Sequence, residues 1–83
     1  MTTDAEIEAT VKKVLFDVAP DLEGEEIDPN EELREQFEID SMDFLNFVIG
    51  LHEATGVEIP EGDYSHLQTL SGAVAYLKPR MNQ

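Results

Sequence analysis

Asp40-Ser41-Met42-Asp43-Phe44-Leu45-Asn46-Phe47-Val48-Ile49-Gly50-Leu51 is the stretch that decides how this chain folds, because at Ser41 a loose acidic connection gives way to an apolar helical pattern. Asp40 has a side chain favoured at a helix N-cap, and Asp43 adds a second negative group to the opening turn. The Ser41 hydroxyl is thereby expected at a helix mouth. Unpaired backbone N–H groups and about half a positive charge from the summed peptide dipoles favour an attached anion there. A phosphodiester fits such a place. So does the plain role of capping residue, and the surrounding residues have to separate the two readings.

The helix opened by Ser41 is expected over about 41–55, with Gly56 ending it. At about 100° per residue, Phe44, Phe47, Val48 and Leu51 cluster on one side, whereas Met42, Leu45 and Ile49 cluster about 140° away. One helix therefore carries two apolar stripes. The first reads as core. The second starts beside Ser41 and runs past Asn46 and Glu53, as a ridge for docking a partner would. The alternative is a wider core, with neighbouring helices covering both clusters. Gly50 costs about 1 kcal/mol relative to alanine in mid-helix, so it either permits a close helix contact or is tolerated.

Upstream, Thr3-Asp4-Ala5-Glu6 is a capping-box pattern, and Ile7, Val11, Val14, Leu15 and Val18 recur on one face until Pro20, predicting a helix over 4–18. The segment 21–40 has Leu22, Ile27, Leu33, Phe37 and Ile39 as its large apolar residues and no sustained period. It reads as a long connection pinned across the bundle by those five side chains. Asp28-Pro29-Asn30-Glu31 has the cap, proline and acid of a short helical turn. Asp28, Asn30 and Glu32 alternate like the start of a calcium loop, but Leu33 stands where that loop needs glycine, which rejects an EF-hand. His52 and His66 have no companion ligands at metal-binding spacing and read as surface residues, so no metal site is expected.

Downstream, Val57-Glu58-Ile59-Pro60 reads as extended, with Ile59 plugging the core before a brief helical turn over 61–65. Leu67 is a further plug. Thr69 caps a last helix whose Leu70, Val74 and Leu77 share a face with Ala73 and Tyr76 beside them; Pro79 is expected to stop it and 80–83 to fray.

These elements define an all-α fold: a small bundle of three main helices plus one short helix, with a long loop between the first and second main helices. With 83 residues the chain is expected to be one domain over 1–83, too small for a deep catalytic cleft, so an enzyme is disfavoured. Nineteen acids against five bases give a net charge of −14, which repels nucleic acid and anionic membranes and favours partners with basic patches. The acids concentrate ahead of Ser41. The chain has no cysteine, hence no thiol of its own. No apolar run is long enough for a membrane anchor, and Met1-Thr2-Thr3-Asp4 lacks the regions of a signal peptide, so a cytoplasmic monomer is expected.

Taken together, the residues resemble the acyl carrier proteins and their 4′-phosphopantetheine attachment serine. Asp40-Ser41-Met42-Asp43 is similar to the family's Asp-Ser-Leu-Asp motif, Glu58-Ile59-Pro60 lies at the family's distance after it, and Leu67-Gln68-Thr69-Leu70 through Tyr76-Leu77 resembles its closing helix. Ile27-Asp28-Pro29-Asn30-Glu31-Glu32-Leu33 resembles the loop anchor before the motif. The resemblance implies that a phosphopantetheinyl transferase modifies Ser41 from coenzyme A and that acyl groups travel as thioesters on the arm. It further implies that Met42, Asp43, Leu45, Ile49 and Glu53 face acyl-loading and acyl-transferring enzymes, and that Phe47, Leu51, Ile59, Leu67 and Ala73 surround the acyl chain.

Three features depart from the family pattern. Glu38-Ile39 stands where fatty-acid-synthesis carriers usually have glycine, Met42 replaces leucine, and Asn46 and His52 replace acids. Serine followed by methionine also resembles the D-alanyl carrier proteins. An aminoacyl or D-alanyl carrier and an unmodified acidic helical interaction domain therefore stay open beside a specialised acyl carrier of fatty acid, lipid or related biosynthesis.

Overall fold

A computed structural model describes residues 3–81. Helix α1 spans Asp4–Val18, α2 Leu33–Gln36, α3 Ser41–Thr55 and α4 Leu70–Met81, with short 3-10 segments at Pro20–Leu22 and Glu61–Leu67. No strand occurs among the described residues. The expected all-α architecture is present, with three long helices and short ones between them.

The start of α1 follows from its cap: the Thr3 hydroxyl accepts the Glu6 amide at 3.2 Å, filling one of the open donors of the first turn. Its apolar face then buries Ile7, Val11, Val14 and Leu15. α1 is the helix on which both α3 and α4 pack. Gly50 makes the α3 approach possible: a Cβ there would lie 2.6 Å from Val14 Cγ1. Of the two readings of this glycine, the close contact is the one realised. At the end of α4, Lys78 reaches Asp4 of α1 at 2.9 Å.

The core gathers Leu33 and Ile39 from the long connection, Phe47, Val48 and Leu51 from α3, and Leu67, Leu70, Ala73, Tyr76 and Leu77 from the C-terminal third. Burial of each large aliphatic side chain contributes about 1.5–3 kcal/mol, which is what orders so acidic a chain without disulfides. Leu22, Ile27 and Phe37 are half-buried against the same core, so all five apolar residues of the connection do pin it.

Three local expectations need correction. The short turn of helix forms at Leu33–Gln36, not at Asp28-Pro29-Asn30-Glu31. There the Asp28 carboxylate instead accepts the Asn30 amide at 2.9 Å, and the Gln36 side chain bonds the Asp28 amide and the Asp28 and Glu31 carbonyls, satisfying that backbone without a helix. In Val57-Glu58-Ile59-Pro60, Val57 is the buried residue and Ile59 is only half-buried. Pro79 does not stop α4, which continues through Arg80 to Met81. A proline this close to a C-terminus removes a single helical bond, and Arg80 stabilises the last turn by donating to the Tyr76 carbonyl at 2.7 Å. Asn82 and Gln83, also expected to fray, lie outside the described residues. The turn expected over 61–65 is present as 3-10 helix and runs on to Leu67.

Candidate functional site at the mouth of helix α3

Ser41 is the first residue of α3 and is exposed. Asp40 caps the helix from extended backbone, its Oδ1 accepting the Asp43 amide at 2.8 Å. The amides of Ser41 and Met42 find no acceptor among the described residues, so they remain available at the positive end of the helix dipole. Because Asp40 provides the cap, the Ser41 hydroxyl is free of that duty. Capping therefore does not account for Ser41.

Buried side chains on both sides fix this mouth. Ile39 enters the core one residue before the cap, and Phe47 anchors the second turn. The approach along Glu38-Ile39 uses ordinary backbone, with no positive φ at a non-glycine residue, so the absence of glycine there costs no strain. Farther back, the Leu33 amide donates to the Gln68 carbonyl at 2.7 Å and the Ser71 amide to the Pro29 carbonyl at 2.9 Å, tying the connection to the segment that opens α4. Arg34, on the short helix so secured, donates from Nη2 to Ser41 Oγ at 3.3 Å. Nothing in the sequence pattern singled out Arg34; its one signal was being the sole cation among the acids of the connection.

The two-stripe reading of α3 holds in the structure. Met42, Leu45 and Ile49 are 65%, 37% and 44% exposed, whereas Phe47, Val48 and Leu51 are buried. Phe44, expected in the core stripe, is half-buried and lies near the rings of Phe47 and, edge-on, Tyr64. Glu53 is exposed and Asp43 half-buried, so acids stand at both ends of the ridge that begins beside Ser41.

Of the residues grouped as an acyl pocket, Phe47, Leu51, Leu67 and Ala73 are closed into the core. Ile59 instead lines an open groove of about 470 Å³ with Val48, Ile49, His52, Glu58, Pro60 and Tyr64, next to the ridge. His52 and His66 are exposed, as expected, and both have structural partners. His52 Nδ1 is 2.8 Å from the Val57 carbonyl, helping to turn the chain after α3, and His66 stacks on Tyr76 at 5.6 Å. Gly56, at φ 73°, supplies the left-handed residue that ends α3.

A small helical bundle that presents an uncommitted serine at a helix mouth, beside a cation and an exposed apolar ridge, has the form of a carrier for a group attached through an anionic linkage. The phosphopantetheine attachment site family matches residues 9–77, and the chain belongs to that family. It is 44% identical over 43 residues to an acyl carrier protein of Lactobacillus johnsonii, a match covering 52% of this chain and 54% of that one. An acyl carrier protein of Rubrobacter xylanophilus is 36% identical over 52 residues, 63% of this chain and 64% of the relative. A meromycolate extension acyl carrier protein of Mycobacterium tuberculosis is 29% identical over 76 residues, 92% of this chain and 65% of the relative. The chain thus spans between about half and two thirds of the length of these relatives.

The residues at the α3 mouth suit the family's prosthetic group. Two amides without an acceptor stand in the first turn of α3, where the exposed Ser41 hydroxyl accepts from a guanidinium, and such donors suit a phosphodiester. Among the described residues, no cluster of potential metal ligands competes for this place, and no helix is long and apolar enough to cross a membrane.

Proposed function

We propose that this protein is an acyl carrier in which Ser41 is the attachment point for 4′-phosphopantetheine delivered from coenzyme A by a phosphopantetheinyl transferase. The observation that carries the reading is the exposed Ser41 hydroxyl, released from capping by Asp40, at the head of an exposed apolar ridge. When attached, the group supplies the thiol that this cysteine-free chain lacks, and acyl groups are held on it as thioesters. The protein's own residues anchor, orient and present; they do not catalyse.

Met42, Leu45 and Ile49 give partner enzymes an apolar surface next to the attachment point, and Asp43 and Glu53 give their basic patches two carboxylates to engage. The net charge of −14 steers such partners in and keeps nucleic acid away. The enzymes served are those that load and transfer acyl groups in fatty acid, lipid or related biosynthesis.

A second reading, a carrier of aminoacyl or D-alanyl groups, draws on the closed packing of Phe47, Leu51, Leu67 and Ala73. Attaching acyl chains of increasing length and following NMR signals separates the two. An acyl carrier whose core parts to admit the chain shows shifts at Phe47, Leu51, Ile59, Leu67 and Ala73 that grow with length. Shifts confined to Ser41 and Met42 at every length overturn the internal pocket and favour aminoacyl or short acyl cargo.

A further inference from the structure

The chain has five Lys and Arg residues, and four of them are engaged away from the α3 mouth. Lys12 pairs with Glu8 at 3.6 Å, Lys13 with Asp17 at 3.9 Å and Lys78 with Asp4 at 2.9 Å. Arg80 lies 3.8 Å over the Tyr76 ring. Arg34 differs. Glu31, Glu32, Glu35 and Glu38 are its sequence neighbours, yet it pairs with no carboxylate of the described residues and donates instead to the neutral oxygen of Ser41.

We infer that Arg34 is the positioning residue for the attachment linkage, its guanidinium holding the phosphodiester formed on Ser41 and so fixing the direction in which the arm leaves the domain. The inference rests on Ser41 being the attachment point. Three features support it. The oxygen that Arg34 touches is the one that becomes the ester oxygen, so the non-bridging oxygens lie two bonds beyond it, on the phosphorus it is joined to. A planar fork of donors matches two such oxygens, and its bonds strengthen when the acceptor is ionised. The base of the side chain is also held in place. Leu33 beside it is buried and bonded to Gln68, and Gln36 clamps the loop ahead of it.

Attachment adds a further negative charge to a chain already at −14, and in most places that charge would only add repulsion. At Ser41, a cation without a carboxylate partner offsets it. The prosthetic group thereby turns a weak bond to a neutral hydroxyl into a charge-assisted one, and the loop bearing α2 becomes more tightly joined to α3.

The test compares apo and holo forms of the wild type, Arg34→Gln, Arg34→Lys and, as a control for net charge, Lys78→Gln. The change in melting temperature on modification is expected to be more favourable in wild type than in Arg34→Gln by about 2–4 °C, with Arg34→Lys between them. Lys78→Gln is expected to behave as wild type. The phosphorus NMR signal of the holo protein should differ between wild type and Arg34→Gln while folded and coincide once both are denatured. Equal melting changes and equal phosphorus shifts in wild type and Arg34→Gln overturn the inference while leaving the attachment at Ser41 standing. The same holds if Lys78→Gln reproduces the Arg34→Gln effect. A wild-type chain that takes up no group at Ser41 overturns the reading beneath both.

Discussion

Residues 49, 50 and 51 are consecutive, about 100° apart around α3, and they meet three different surroundings. Ile49 is 44% exposed on the ridge, Gly50 abuts Val14 of α1, and Leu51 is 0% exposed. Aspartate at 49 and at 51 therefore asks the same chemical question at two depths. For Leu51→Asp, the lost apolar transfer of about 2 kcal/mol adds to several more for an unpaired carboxylate in the core. That exceeds the margin of about 5 kcal/mol expected for a domain this small, so the variant should be unfolded in water. For Ile49→Asp, the carboxylate stays hydrated and stability should change by no more than about 1 kcal/mol. Urea unfolding followed by circular dichroism reads both. Transferase kinetics on the folded Ile49→Asp then read docking, with the rate of Ser41 modification expected to fall. If Ile49→Asp loses its folding transition as Leu51→Asp does, the ridge is core and the docking argument fails. If it folds and is modified at the wild-type rate, the transferase docks elsewhere.

Gly50→Ala sets a helix-propensity gain of about 1 kcal/mol against overpacking of a stiff, buried valine, which costs about 1–3 kcal/mol. A net loss of up to about 2 kcal/mol in urea unfolding is expected, relieved in the background of Val14→Ala; a stabilised single variant would show that the two helices are not in close contact. Tyr76 donates to Asp63 at 2.8 Å, and its burial, aided by that bond and the Asp63 charge, raises its pKa above the ordinary value. The folded state then holds the phenolic proton more tightly than the unfolded one. This contribution to stability is complete below about pH 10 and is lost as pH rises through the folded value. Tyr76→Phe should remove that alkaline component from the stability profile, and an unchanged profile would refute it. Crowded acids between residues 21 and 40 predict a higher melting temperature in added salt or millimolar magnesium, whereas a saturable, calcium-selective, one-to-one response would contradict simple screening.

The boundaries of α1 and α3 were legible because their signals are local: a threonine or aspartate cap at one end, and a proline or a left-handed glycine at the other. The exposed ridge was legible for the same reason, since Met42, Leu45 and Ile49 are placed by helical periodicity alone. What escaped was set by contacts distant in sequence. The bonds of Leu33 to Gln68 and of Ser71 to Pro29 place the short helix at Leu33–Gln36, and Arg80 lets α4 pass Pro79. The approach of Arg34 to Ser41 was hidden likewise, because it depends on how the whole connection folds back.

Mass spectrometry of the chain after incubation with coenzyme A and a broad-specificity phosphopantetheinyl transferase reads the attachment at Ser41 itself. The intact mass should rise by one phosphopantetheine, fragmentation should place the group on Ser41, and Ser41→Ala should gain none. An unmodified wild type, or a group found on Ser65 or Ser71, would contradict it.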